Sequence, residues 1–205
     1  MDLSVLAEQI THQDTIEWVG LFTGILYVIL AAYEKPLCWI FGIVSCACIA
    51  WKSYTDYKLM ADVGLQTFYV VIGFLGLWNW MKAGKEDGTK PIITMIWVKH
   101  VIVIVIILII SYPISWLLIH YADARYGYPD TSLTLLSVWA TILLVRKDLH
   151  NWVYWIFIDV MYTGLYWRSE GYLFALLYLF YAGISVWGWR KWRNAALPLN
   201  PLKGT

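Results

Sequence analysis

The sequence predicts an all-α integral membrane protein of seven transmembrane helices, arranged as three plus one plus three in a parallel repeat. Three observations carry that expectation. Of 205 residues, 60% are hydrophobic and only 14% charged, and the mean hydropathy is +0.61. A soluble domain averages about 45–50% apolar and about 25% charged residues, and could not cover so much apolar surface. Seven apolar stretches approach the roughly 20 residues that a helix needs to cross a bilayer. The chain also resembles itself at a spacing of just over half its length.

Taken in order, the spans fall at 15–33, 36–54, 60–81, 97–119, 130–145, 150–167 and 170–189. The fourth is the plainest, since Val101 to Ile119 carries no acidic or basic residue, and the fifth is short. Most connections run to a few residues and leave no room for an extramembrane domain. The one longer link carries Lys82, Lys85, Lys90 and Lys99. This divides the chain into a first three-helix unit (1–81), a link with a connector helix (82–129), and a second three-helix unit with its tail (130–205).

With seven spans, the loops on the N-terminal side hold four basic residues: Lys52, Lys58, Arg125 and Arg168. The other side holds eleven: Lys35, Lys82, Lys85, Lys90, Lys99, Arg146, Lys147, Arg190, Lys191, Arg193 and Lys203. The richer side belongs in the cytoplasm, so the N-terminus is expected outside and the C-terminus inside. The stretch before span one is polar and acidic, without the basic start of a cleaved signal peptide, so span one is expected to remain. Trp78, Trp80, Trp187 and Trp189, near span ends, fit an interfacial belt.

The internal repeat is read at two slightly different offsets. In one, Trp78-Asn-Trp80-Met-Lys82 falls on Trp187-Gly-Trp189-Arg-Lys191, which also places Tyr69 on Tyr178. In the other, a little longer, Trp39 falls on Trp152 and Ile43 on Ile156. The difference is absorbed by a longer loop at 52–61. Three-helix units separated by one helix share an orientation, which makes the repeat parallel, about an axis along the membrane normal.

Several function classes are excluded or left without support. A net charge of +1 argues against a nucleic-acid partner. Cys38, Cys46 and Cys48 read as small packing residues in one apolar stretch. No nucleophile motif, HExxH, CxxC or Walker loop is present, so neither an enzyme nor a primary pump is indicated, and no cofactor is expected. His12, His100, His120 and His150 are scattered near span ends and suggest no metal site.

Ionisable residues inside spans are costly and mark functional candidates. Asp159 is the clearest. Trp152, Trp155, Asp159 and Tyr162 follow at helical spacing and put two indoles, a carboxylate and a phenol on one face. That face suits a flat, hydrophilic cationic ring, with the alternative that Asp159 only bonds a neighbouring helix. Gln66 and Tyr69 share a face of span three, with Asp62 one turn earlier; Tyr178 and Tyr181 share a face of span seven. Asn151 either orients a ligand or caps span six.

The run Asn151-Trp152-Val-Tyr-Trp155-Ile-Phe-Ile-Asp159-Val, followed by Gly171-Tyr172 and Trp187-Gly-Trp189, resembles the PnuC family of bacterial vitamin transporters. In the first half Glu34-Lys35, Phe41-Gly42, Leu65-Gln66 and Trp78 to Trp80 agree as well. The resemblance implies a SWEET-like fold in the bacterial inner membrane. It also implies facilitated diffusion of an unphosphorylated B-type vitamin, trapped afterwards by a cytoplasmic kinase. Asp159 stands where some nicotinamide riboside carriers of the family have asparagine, and Cys38-Trp39 where an asparagine–aromatic pair is sometimes found. The chain also lacks the longer N-terminal region of some of those members. These departures point to thiamine, the PnuT branch, with nicotinamide riboside as the alternative and riboflavin carried by another branch. A homo-oligomer is compatible with this reading. Rival readings are an ion-coupled carrier with Asp159 as relay, and a membrane sensor or assembly protein whose polar face binds a partner helix.

Overall fold

The computed structural model describes residues 3–56, 60–86, 90–122 and 127–196, and side chains except at 60, 61, 83–86 and 122. Lys58, Arg125, Lys203 and the Lys85 side chain, counted above for orientation, lie outside them. The described residues form eight helices: α1 (Leu3–Thr11), α2 (Thr15–Ala32), α3 (Cys38–Thr55), α4 (Met60–Glu86), α5 (Trp97–Ala122), α6 (Gly127–Val145), α7 (Asn151–Arg168) and α8 (Tyr172–Ala196). Each expected span coincides with one of α2 to α8. Six of these (all but α7) are long and apolar enough to cross a membrane. The count of seven crossing helices is therefore reduced to six on length and apolarity alone. Alpha-7 falls short because Asn151, Asp159, Arg168 and its tyrosines and tryptophans dilute its apolar content.

The eighth helix, α1, is a short segment that the apolar pattern does not show. It lies on α8, held by Gln9, which donates to the Glu170 carbonyl at 2.7 Å and accepts from the Leu173 amide at 3.0 Å. Alpha-2 starts at a reciprocal capping box: the Asp14 carboxylate accepts the Glu17 amide, and Glu17 accepts the Asp14 amide, each at 2.9 Å. Lys52 reaches back from the far end of α3 to Asp14 at 2.7 Å and also pairs with Asp56. Its ammonium holds both carboxyls below the usual range.

At the opposite end the helices stop in a repeated way. In α2 the Glu34 amide bonds the Ala31 carbonyl and the Lys35 amide bonds Leu30; in α6 Lys147 bonds Leu144 and Asp148 bonds Leu143. Both are Schellman turns, and both place a non-glycine residue in the left-handed region, with φ 58° at Glu34 and 57° at Lys147. Glycine is the usual occupant, and other residues cost about 1 kcal/mol there.

Packing groups α2, α3 and α4 together, and α6, α7 and α8 together. The groups meet where α2 lies on α8 and α4 on α6, while α5 packs on α6. Small residues allow the close approaches, as expected where lipid supplies no hydrophobic drive between helices. The Trp39 ring lies on Gly76 of α4 and meets Trp80 edge-on at 5.6 Å and 88°. In the other group, Trp152 lies on Gly188 of α8 and meets Trp192 edge-on at 5.5 Å and 88°. The packing partner of Trp152 is thus Trp192, not Trp189. Gly76 and Gly188, and Trp80 and Trp192, play like parts in the two packings, whereas the expected repeat paired Trp80 with Trp189. Trp80, expected in an interfacial belt, is 2% exposed, whereas Trp78 at 64% and Trp187 at 39% are lipid-accessible.

These contacts make a sharp stability prediction. A Cβ at Gly76 would sit 2.4 Å from the Trp39 ring, and one at Gly188 would sit 2.8 Å from Trp152. Neither buried indole has room to retreat. Gly76→Ala and Gly188→Ala should each cost about 1–3 kcal/mol despite the better helix propensity of alanine. Gly64→Ala and Gly183→Ala, with open space around the new methyl, should be neutral or mildly stabilising. Melting temperatures in detergent decide, and equal effects at all four positions would refute the packing argument.

Candidate functional site

Most of the candidate site residues lie on α4, α7 and α8, with polar partners on α6. On α7 the face anticipated from spacing continues by one more residue, Tyr166. Asp159 is 2% exposed and its Oδ2 accepts from the Ser185 hydroxyl at 3.3 Å. The Tyr162 hydroxyl donates to Asp130 Oδ1 at 3.3 Å and lies 3.4 Å from Thr134. Tyr178 stacks on Tyr166 at 5.4 Å and 11°, lies 5.0 Å from Tyr162, and meets Tyr181 edge-on at 6.1 Å. From the other group, Tyr69 shares a 2.6 Å hydrogen bond with Ser137 of α6, and Gln66 donates to Asp62 at 3.3 Å. Asp62 in turn accepts from Ser53. The Tyr181 hydroxyl reaches α2, where a Cβ at Gly24 would be 2.9 Å from it.

Asp159, Tyr162, Tyr178 and Tyr181 thus converge, while Tyr69 and Gln66 come in from α4. Trp152 and Trp155 part company. Trp155 packs with Ile107, Leu136 and Ile158, beside Tyr162. Trp152 belongs to a separate cluster with Trp39, Trp80 and Trp192. Its 2% exposure leaves no ring face open in this conformation. The two indoles therefore do not form one sandwich here, because Trp152 is buried against Gly188 and Trp192 in a separate cluster. Asn151 is fully buried in the first turn of α7, behind the cap residue His150, and its amide donates to the Asp148 carbonyl at 2.6 Å. It braces the α6–α7 turn rather than capping the helix.

The tryptophan end is tied across the two groups by reciprocal bonds. Trp80 Nε1 donates to the Val145 carbonyl at 3.1 Å, and Trp192 Nε1 donates to Ala31 at 3.2 Å. Between them, the buried Lys147 ammonium pairs with Glu34 at 2.9 Å, bonds the Lys90 carbonyl at 3.1 Å and lies 4.8 Å over the Trp80 ring. The ion pair joins the two left-handed turn residues.

A family model described as nicotinamide mononucleotide transporter matches residues 14–194. The chain belongs to this family. Among its relatives, the nicotinamide riboside transporter PnuC of Neisseria mucosa is 26% identical over 187 residues, covering 85% of this chain and 70% of the relative. That of Escherichia coli K12 is 22% identical over 206 residues, covering 88% and 86%. A crystal structure of the vitamin B3 transporter PnuC superposes with a TM-score of 0.72 at 23% identity, covering 97% of this chain and 91% of that one. The chain therefore has the fold of that PnuC structure and is a multi-pass membrane protein, in keeping with the resemblance read from its motifs.

Within this PnuC-family framework several polar residues were not anticipated. Asp130, Thr134, Ser137 and Thr141 form a stripe on α6 at intervals of four, three and four, and Ser185 extends the expected Tyr178–Tyr181 face of α8. Hydroxyls score as neutral in an apolar span, so only their spacing could have exposed them. The histidines also differ from expectation: His100 and His150 are not scattered but face one another, with ring centres 4.6 Å apart.

Proposed function

We propose that this chain carries nicotinamide riboside across the bacterial inner membrane by facilitated diffusion, with a cytoplasmic kinase trapping the product. The buried Asp159 carboxyl on an aromatic, tyrosine-lined face supports a flat cationic substrate, and the family and relatives matched select nicotinamide riboside within that class. Nicotinamide riboside offers a flat cationic pyridinium and a ribose. Trp155 and the tyrosines would stack the ring, Asp159 would balance its charge, and Gln66, Tyr69 and Tyr181 would bond the amide and ribose hydroxyls. The ionisable side chains described on these faces are acids (Asp62, Asp130 and Asp159), with no lysine or arginine among them. A phosphate would be repelled, which argues for the nucleoside over the mononucleotide. The preference for thiamine gives way because the relatives matched are named for nicotinamide riboside and vitamin B3.

The proposed architecture keeps α7 as a seventh crossing helix. Units 1–81 and 130–205 are related as a parallel repeat around the link 82–129, with Trp39 set on Trp152 and Trp80 on Trp192. The lysine-rich tryptophan end would face the cytoplasm and the Asp14–Lys52 end would face outward. Trp39, Trp80, Trp152 and Trp192, with Asn151 bracing the turn beside them, would close the cytoplasmic gate. Rocking of one unit against the other would open it. Equal binding on both sides moves substrate but drives none, so accumulation needs the kinase.

The test is uptake of labelled nicotinamide riboside, thiamine and nicotinamide mononucleotide by the purified chain in liposomes. Saturable entry of nicotinamide riboside to the outside concentration, with little entry of the other two, is expected. Faster thiamine entry would restore the thiamine assignment. No flux of any would favour the non-transport reading.

A further inference from the structure

We propose that His100, Asp148 and His150 form a binding site for a divalent ion of the zinc class, independent of the transport reading above. The three residues come from the first turn of α5 and from the α6–α7 turn, and each offers a ligating atom within 4.8 Å of the others. Two features beyond clustering point to a ligand. His100 is 3% exposed and its Nε2 has no partner; Asp148 is 0% exposed and its Oδ2 has none either. Buried polar atoms are rarely left so, because each forfeits the hydration it had in water.

One of the two rings is held as a metal ligand usually is. The His100 Nδ1 lies 3.1 Å from the Tyr154 hydroxyl, and the His150 Nδ1 lies 3.0 Å from Asp148 Oδ1. The first contact orients the His100 ring and leaves its Nε2 free to coordinate. The second already joins two of the proposed ligands, and an ion would replace it by binding His150 Nδ1 and the Asp148 carboxylate together. The His150 amide also donates to Asp148 Oδ1 at 2.9 Å, fixing the carboxylate from a second direction. Two imidazoles and a carboxylate suit zinc, with water completing the shell. The cation nearest in sequence, Lys147, already has Glu34 as its partner, so the net charge of Asp148 remains available to the ion. Trp97 covers both rings edge-on, at 5.9 Å from His100 and 5.4 Å from His150. His150, at 17% side-chain exposure, leaves a path from solvent. An ion here would staple the start of the connector helix to the turn that carries Lys147, next to the Ile93 amide and carbonyl that already bond Lys147 and Leu149.

The experiment uses the full chain in detergent, with any polyhistidine tag removed and bound metal stripped by chelator. Zinc is titrated by calorimetry and counted by elemental analysis, and cobalt is added separately for its visible absorption. One zinc per chain, a raised melting temperature and a cobalt spectrum are expected. His100→Ala and His150→Ala should each abolish all three, Tyr154→Phe should weaken zinc binding about tenfold, and His120→Ala should change nothing. Substoichiometric zinc on the wild type, or unchanged binding by the histidine variants, overturns the site. If His100→Ala does not yield folded protein, the more exposed His150→Ala decides alone.

Discussion

Asp159→Asn should weaken nicotinamide riboside binding roughly thirtyfold while leaving the fold intact. The substitution keeps the size and an oxygen for the Ser185 hydroxyl, which lies 3.3 Å away, and removes the negative charge that Asp159 can supply to a bound cation. A hydrogen bond or contact to a charged partner in a dry site is worth about 2 kcal/mol more than its neutral counterpart, and about 1.4 kcal/mol is tenfold in affinity. The comparison that isolates charge is the reduced, uncharged dihydronicotinamide riboside, which wild type and variant should bind alike. Calorimetry on purified protein reads both. A variant that binds the pyridinium form as well as wild type would make Asp159 a helix-packing residue, with Ser185 its only purpose. Equal losses for both forms would point to altered cavity shape instead.

The prominence of Asp159 in the sequence and the obscurity of its neighbours have one cause. Lipid penalises a carboxylate severely and a hydroxyl hardly at all. Asp159 therefore declares itself in an apolar run, while Ser137, Ser185 and Thr134 pass as neutral filler. The positions of α2 to α8 were legible for the same reason: the bilayer imposes a length and a composition on each. Alpha-1 was not, since a short helix lying on α8 needs no span-like pattern. Nor was the partner of Trp152, because Trp-x-Trp recurs near both unit ends, and only the rotation of α8 on its axis makes Trp192, not Trp189, meet Trp152. The His100–Asp148–His150 cluster joins the neighbours Asp148 and His150 to a distant His100, and that joining follows from how α5 packs on α6, which no local spacing encodes.

Lys147 is where removal of one side chain should be felt most at the tryptophan end. It is 2% exposed, and its ammonium is shared between Glu34, the Lys90 carbonyl and the Trp80 ring. Lys147→Ala strands Glu34 and the carbonyl and leaves a void beside Trp80. Removing one partner of a buried pair typically costs about 3–5 kcal/mol. Because Glu34 keeps 19% side-chain exposure and can recover some water, a loss near the lower end is expected. Glu34→Ala leaves the more deeply buried ammonium with only its carbonyl and ring, and should cost a comparable amount. The double variant should then lose less than the two single losses added, by about 1–3 kcal/mol. Denaturation in detergent measures the cycle. The same pair also joins the two left-handed turns across the units, so the weakening should appear in function. With Cys46→Ser and Cys48→Ser in place, the native Cys38, buried in the same tryptophan cluster, should react faster with a water-soluble thiol reagent in the Lys147→Ala background than without it. Additive stability losses together with unchanged labelling would mean that Glu34 and Lys147 merely neighbour each other, and that the tryptophans alone hold this end closed.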